Sequence, residues 1–305
     1  MRRDQRWMVV VALAATTIVL AGCGDPNVLV EIRAGSLAIG LLQSGEVAEF
    51  RDASSGVEHM PEGMTAPLLQ LRVAGRDLSP ELAHFDPADS TLTLGYEGDL
   101  SATVRVSARP THVRLELKAL SEPERVDLAI WGPYPTTIRE TIGETVGVVR
   151  GEGYAIGLQA LNPKTLGGFP WNENDAMPQL DIFESGDFSD LSEEGKRHVL
   201  YRVEAAKPDS FGSTLQAYTR SRRQDRVIQN WGHERYVAPA FDDGGVVGSA
   251  IALFGSSEEE ALERLGAIEV AEGLPHPTID GEWGKMARSA SAAYVILHFS
   301  ESTLD

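Results

Sequence analysis

The chain has 305 residues, a formal net charge of −18 and a single cysteine. This length is enough for a substantial core in one large or two medium domains. The acidic composition disfavours nucleic acid and anionic lipid headgroups, so we expect neither as a partner. One cysteine excludes an intramolecular disulfide and a zinc site built on several thiolates.

The first 22 residues have the three regions of an export signal. A start with three arginines is followed by an apolar run at residues 7–20. A membrane-spanning helix needs about 20 apolar residues, so this run is too short to be a stable anchor. The apolar run ends in the segment Leu20-Ala21-Gly22-Cys23. Two small residues precede the cysteine there, as the cleft of a peptidase requires. This is the lipobox of bacterial lipoproteins, and it predicts that residues 1–22 are a signal peptide.

Cys23 is therefore predicted to carry lipid, with residues 23–30 as a tether. Stable attachment takes two or more acyl chains, and bacterial lipoproteins of this kind are triacylated, which implies a permanent anchor. We expect an exported protein held to the lipid bilayer of a bacterial membrane through acylated Cys23. Gly24, rather than Asp, favours the outer membrane or cell surface where the cell has two membranes. An ordinary secretory signal with an incidental cysteine is the alternative.

Apolar and polar residues alternate with a period of two from residue 28 onward. Successive side chains of a strand face opposite sides, so this pattern predicts strands with one buried face. Two further strands are expected at residues 37–42 and 47–51. The clearest apolar sets are Leu92/Leu94/Tyr96, Ala102/Val104/Val106/Ala108, Val113/Leu115/Leu117/Ala119, Val126/Leu128/Ile130 and Val199/Tyr201/Val203.

Short turn signals separate these strands. Many short strands with frequent turns predict an all-β fold, a large antiparallel β-sandwich (supersandwich) over residues 31–273. Gly151-x-Gly153 lacks dinucleotide-motif spacing and indicates a hairpin. The other turns are predicted at Ser44-Gly45-Glu46, Asp52–Gly56, Glu97-Gly98-Asp99 and Arg109-Pro110-Thr111.

One short helix is predicted near residue 260. Ser257 and Glu260 have capping-box spacing, and Gly266 is expected to end the helix. An apolar stripe is expected to face the core. The stripe consists of Ala261, Leu262 and Leu265.

Residues 274–305 are predicted to be a linker and the first strand of a truncated β/α barrel. The run at 292–299 is nearly all apolar, which is typical of a strand buried on both faces of a parallel sheet. Residues 300–305 read as the beginning of a following helix. An apolar strand left as an open edge is avoided in folded proteins, so a β/α domain is expected to continue. Folding back of the run is the alternative.

Catalytic motifs are not evident in the sequence. The seven histidines have no metal-ligand spacing, and phosphate-loop and serine-elbow motifs do not occur. Among 45 acidic residues, no pair can be selected for glycoside hydrolysis, so no catalytic residue and no cofactor are predicted. The polar stretch at 168–196 offers hard oxygen ligands for calcium, with a solvated loop as the alternative. These ligands are Asn172, Asn174, Asp175 and Asp181.

Aromatic residues beside prolines give the best hint of a ligand. Trp131, Tyr134 and Trp171 stand next to Pro or Gly-Pro and are predicted to lie in loops, where their rings would stack on the C–H faces of sugars. Arg139 lies nearby and would hydrogen bond sugar hydroxyls. The alternative is that Trp131 and Tyr134 close the end of the sandwich, because aromatic rings dominate core burial.

Several segments resemble a known family. Residues 37–56 look like the opening hairpin of N-terminal sandwich domains in large bacterial glycoside hydrolases. Similar stretches of polysaccharide-degrading proteins match residues 131–138, 279–285 and 293–300. The resemblance implies a galactose-mutarotase-like sandwich that precedes an α-galactosidase-type (β/α)₈ barrel. Catalytic carboxylates of such barrels lie beyond the first strand, so none is carried over.

Three functions follow as hypotheses from this resemblance. The first is a membrane-anchored lipoprotein that carries the non-catalytic, carbohydrate-associated domain of a glycoside hydrolase and is inactive without the barrel. The second is a stand-alone lipoprotein that binds oligo- or polysaccharide. The third is a mutarotase-type epimerase, for which His112 and His198 are the first candidates as catalytic histidines.

Overall fold

Three antiparallel sheets make up most of the computed structural model, which describes residues 17–20, 28–143, 147–170, 205–230, 233–238, 240–275, 278–279 and 282–283. The chain divides into a large unit, Met1–Ile268, and a small one, Glu269–Asp305. Several predicted features lie outside the described residues. These are the lipidated Cys23, the calcium ligands, the strand at 199–203 and the apolar run at 292–299.

The first sheet has five strands in chain order. They are β1 (Thr17–Leu20), β2 (Val28–Ala34), β3 (Leu37–Leu42), β4 (Glu46–Asp52) and β5 (Ala66–Pro67). β1 comes from the predicted signal peptide and pairs with β2 from Thr17↔Arg33 to Leu20↔Val30. The predicted turn joins β3 to β4, where Gly45 has φ +86° and a Cβ would lie 2.9 Å from the Pro80 side chain.

The second sheet has eight strands and contains most of the predicted ones. Its spatial order is β13 (Thr141–Ile142), β14 (Val148–Gly151), β15 (Tyr154–Ala160), β21 (Ala250–Ser257), β11 (Val113–Leu120), β10 (Ser101–Ala108), β9 (Thr91–Gly95) and β8 (Leu82–Asp86). The turns predicted at 97–99 and 109–111 join β9, β10 and β11 as antiparallel hairpins. Glu152 and Gly153 both have positive φ and form the two-residue turn between β14 and β15, which confirms the hairpin at Gly151-x-Gly153.

The third sheet has six strands. They are β16 (Thr165–Gly167), β18 (Gly212–Arg220), β12 (Leu128–Thr136), β6 (Leu69–Val73) and β7 (Arg76–Leu78) in spatial order, with β17 (Ala206–Asp209) also paired to β18. Every residue of β18 is buried, and β12 is buried at all positions but Pro133. The two central strands therefore have little exposed surface.

A continuous apolar core joins the inner faces of the three sheets. Val104 and Leu115 of the eight-stranded sheet contribute to it, as does Phe50 of the five-stranded sheet. Phe50 meets Tyr134 of the six-stranded sheet edge to face, with ring centroids 5.6 Å apart. The antiparallel sandwich arrangement confirms the predicted all-β class.

The described helix, α1 (Ala261–Ala271), differs from its prediction at both ends. Ser257 is the last residue of β21, so it does not cap the helix. Gly266 is a buried interior position rather than the end, and Gly273 follows the helix with φ +67°. Ala261 and Leu265 are buried as expected, whereas Leu262 is 60% exposed. Ile268, which was not predicted, completes the buried side of the helix.

The apolar set Val126/Leu128/Ile130 does not share one face. Val126 precedes β12 and packs in the main core, while Leu128 and Ile130 belong to a separate cluster with Tyr218. Two small hairpins complete the described strands. They are β19 (Arg226–Asn230) with β20 (His233–Ala238), and β22 (Thr278–Ile279) with β23 (Glu282–Trp283).

Candidate functional site

The outer face of the six-stranded sheet carries polar side chains at alternate positions. Leu69 and Leu71 of β6 point into the core, so Gln70 and Arg72 point outward. β18 follows the same rule, with Leu215 and Ala217 in the core. Its Thr214 and Gln216 face outward beside β12, and Thr214 lies opposite Pro135.

A bulge in β12 changes which residues face this outer side. The register shifts between Trp131 and Tyr134, and Gly132 between them has φ +85°. A regular strand would place positions three apart on opposite faces, but here both aromatic rings enter the core. Ile130, Pro133 and Pro135 line the outer side instead.

These side chains form the wall and floor of a cavity of about 610 Å³, here called the outer groove. This volume lies in the range of about 300–1,000 Å³ that is usual for small-molecule sites. Proline and phenylalanine rings provide apolar surface, and amides and hydroxyls provide hydrogen-bonding groups. The lining residues are Met64, Thr65, Pro67, Gln70, Arg72, Asp77, Ile130, Pro133, Pro135, Phe169, Pro170, Lys207, Asp209, Phe211, Thr214 and Gln216.

The charged groups of the outer groove are engaged with neighbours. Arg72 donates two hydrogen bonds to the Asp77 carboxylate, at 2.6 and 2.8 Å, and this pairing raises the pKa of Arg72. The Lys207 ammonium lies 3.9 Å from the centroid of the Phe169 ring. The face of that ring is therefore already covered by a cation.

Two groove residues are polar and almost fully buried. Gln216 is 5% exposed and Thr214 is 4% exposed. The Gln216 backbone N–H donates to Ala205 and its carbonyl accepts from Gly168. Both residues belong to the lining of the groove.

Three of the four residues predicted to bind sugar are described by the structure, and none of the three lines the outer groove. Trp131 and Tyr134 belong to β12 and have 0% exposure, so the prediction that they lie in loops is wrong. Their burial agrees with the alternative that these rings serve the core. Arg139 is exposed and donates to the Phe211 carbonyl at 3.1 Å, but it does not line the outer groove. Trp171 lies outside the described residues.

A buried hydroxyl network holds Trp131 in place. The indole N–H donates to Oγ of Ser249 at 2.8 Å, which connects β12 with the residue before β21. The Thr219 hydroxyl donates to the same oxygen at 2.7 Å. Thr165 Oγ1 in turn accepts a hydrogen bond from the Ala250 backbone. The polar end of the tryptophan is thus satisfied inside the protein, which supports a structural role.

The histidines do not assemble a reactive centre in the described residues. His112 has 0% exposure in the turn before β11, with Nδ1 2.9 Å from the Thr111 hydroxyl. His198, the other candidate for an epimerase, lies outside the described residues. His59 borders a small cavity with Glu140 and Glu152. Within the described ranges, no group of three or more His, Cys, Asp or Glu residues is placed to hold a metal ion.

The helices of the structure do not test the predicted attachment to a membrane. In the described part of the chain, no helix combines the length and apolarity that a membrane crossing requires. The expected attachment is through lipid on Cys23, and that residue is outside the described ranges.

Comparison with known proteins does not assign a family. No protein-family model matches the sequence, and no curated protein matches it. The likeness to glycoside hydrolase sandwiches therefore remains an expectation, and function has to be inferred from the residues of the outer groove.

The residues that line the outer groove were not predicted from the sequence as binding residues. The alternating pattern of β18 is nevertheless visible in the sequence. Thr214, Gln216 and Tyr218 alternate with the smaller or apolar Leu215 and Ala217. This period of two predicts a strand, but it cannot show that the polar side is also buried. β18 lies in the middle of its sheet because it pairs with β12, which is far earlier in the sequence, and no local pattern encodes that pairing.

Proposed function

We propose that this chain is a non-catalytic carbohydrate-binding protein of a bacterial surface, anchored by lipid on Cys23. The observation that carries the proposal is the outer groove, in which amide and hydroxyl groups stand beside proline and phenylalanine rings. Sugars present hydroxyl groups at their edges and apolar C–H groups on their ring faces. A lining that combines polar groups with apolar rings is suited to both the hydroxyl groups and the C–H groups of a sugar.

The chemistry of the groove favours binding over catalysis. General acid–base or nucleophilic work requires titratable groups held free near the ligand. Here Asp77 is paired with Arg72, and Lys207 is placed over an aromatic ring. The resemblance of the sequence to sandwich domains of glycoside hydrolases supports a role beside polysaccharide breakdown, in which the sandwich holds the polymer.

The proposal is tested by binding of the purified mature chain, residues 23–305 with Cys23→Ser, to immobilised and soluble polysaccharides. Native affinity electrophoresis through gels containing starch, galactan, xylan or polygalacturonate gives the readout. We expect retardation by at least one polysaccharide. Equal mobility in every gel would contradict a carbohydrate-binding function, and clear hydrolysis of chromogenic galactosides or accelerated mutarotation of a fresh anomer would contradict a non-catalytic one.

A further inference from the structure

Gln216 and Thr214 contribute hydrogen-bonding side chains to the lining of the outer groove. Both residues are more than nine-tenths buried, and both line the outer groove. The two side chains therefore offer an amide and a hydroxyl to a molecule bound in the groove.

The spacing of these groups indicates the kind of partner. They are two positions apart on β18, which places them on the same face about 6.6 Å apart along the strand. An amide both donates and accepts hydrogen bonds, and so does a hydroxyl. This combination matches the neighbouring hydroxyl groups of a sugar, each of which is also donor and acceptor.

The charged residues of the outer groove indicate whether its ligand is charged or neutral. Its lining contains two cations, Arg72 and Lys207, and two anions, Asp77 and Asp209. Arg72 is neutralised by its bidentate contact with Asp77, and Lys207 lies against the Phe169 ring. The chain as a whole carries −18, so an anionic polymer would also be repelled on approach.

Apolar surface lies next to the polar pair. Pro135 is directly opposite Thr214 in the sheet, and Pro133 and Ile130 continue the same side of β12. Sugar ring faces pack on such surfaces through their C–H groups. The polar and apolar components are thus adjacent on neighbouring strands.

We propose that the outer groove binds an uncharged glycan whose hydroxyls are hydrogen bonded by the Gln216 amide and the Thr214 hydroxyl. This inference rests on the proposed carbohydrate-binding function and adds its ligand class and recognition residues. The ligand is a neutral oligosaccharide or a segment of a neutral polysaccharide. We expect uronic-acid and sulfated polymers to bind less well, because the whole chain carries a net charge of −18.

The test compares Gln216→Leu and Thr214→Val with matched controls. Each substitution keeps the approximate size of the side chain and removes its hydrogen-bonding atoms. The controls are Gln159→Leu on β15 and Thr103→Val on β10, both in the eight-stranded sheet and outside the groove lining. Affinity for the retarding polysaccharide is measured by calorimetry with its oligosaccharides, and thermal unfolding shows that each variant is folded.

We expect each groove substitution to weaken binding by about tenfold and the controls to leave it within twofold. Neutral polymers should bind better than polygalacturonate. If a glycan binds but the groove variants retain wild-type affinity, or if anionic polymers bind preferentially, the inference is wrong while the proposed function stands. If no glycan binds, or if casein peptides bind in their place, the proposed function fails as well.

Discussion

His59 is a buried histidine that stacks on Tyr154, with ring centroids 4.7 Å apart and planes 7° from parallel. It is 5% exposed, and its Nε2 has no hydrogen-bond partner among the described residues. Burial lowers the pKa of His59 below its usual value of about 6.5, and the carboxylates of Asp52 and Glu152 offset only part of this effect. The folded protein therefore favours the neutral ring.

This lowered pKa predicts that His59 makes the protein less stable in acid. The unfolded chain binds a proton at this residue near pH 6.5, while the folded chain binds it only at lower pH. The free energy of unfolding should therefore fall as the pH drops below about 6.5, by up to 1.4 kcal/mol per pH unit from this residue. His59→Phe keeps an aromatic ring against Tyr154 and should weaken that fall.

Urea unfolding of the wild type and His59→Phe at pH 7.5, 6.5, 5.5 and 4.5 measures the effect. His84→Phe is the matched control, because His84 is exposed on β8. Parallel pH curves for the wild type and His59→Phe would contradict the prediction. Other ionisable groups contribute equally to both proteins, so the difference between their curves reports His59.

The bulge in β12 decides which side chains reach the outer groove. A Cβ on Gly132 would lie 2.6 Å from the Tyr134 backbone nitrogen and 3.0 Å from the Leu215 carbonyl oxygen. With φ at +85°, this position also disfavours any L side chain. Glycine thus permits Trp131 and Tyr134 to enter the core together while Pro133 stays on the groove side.

Gly132→Ala is expected to destabilise the protein by about 2–5 kcal/mol, from the left-handed backbone and the steric clash together. Gly153→Ala is the matched control: Gly153 also has positive φ, but nothing lies within 4 Å of its Cβ position. That variant should lose only about 1–2 kcal/mol. Chemical denaturation gives both values, and equal losses would show that the close approach at Gly132 is unimportant.

A comparison of β10 and β11 with β12 shows which parts of the fold the local sequence predicts. Regular alternation in 102–108 and 113–119 is sufficient to place β10 and β11, because each pairs locally through a short turn. At Gly132-Pro133 the turn-forming residues predict a loop, whereas the strand continues through a bulge. The groove depends on that bulge and on pairing between β12 and β18, whose residues lie far apart in sequence. Its residues could not be predicted from periodicity alone.

The predicted lipid anchor at Cys23 would limit where the sandwich can lie. Four residues, Gly24 to Asn27, separate Cys23 from β2. Fully extended, the five residue steps from Cys23 to Val28 span at most roughly 18 Å, at about 3.5 Å per residue. A lipid on Cys23 would therefore keep the five-stranded sheet close to the bilayer.

Cys23→Ser should abolish membrane attachment in an expressing bacterium. We expect the wild type to incorporate labelled palmitate and to sediment with membranes, and the variant to do neither. Gly24→Asp serves as the control, because it preserves the cysteine and should remain lipidated. Membrane retention of Cys23→Ser, or an unlabelled wild type, would contradict lipid anchoring and favour an ordinary secretory signal.

Removal of the predicted signal peptide would change the edge of the first sheet, because β1 pairs with β2. Cleavage before Cys23 would remove Thr17–Leu20 and expose the backbone N–H and C=O groups of β2 that β1 occupies. Unpaired strand edges promote association between copies of a protein. The predicted export signal would therefore cover the edge of β2 until it is cleaved. If Cys23 is then acylated, the exposed edge would begin within a few residues of the lipid.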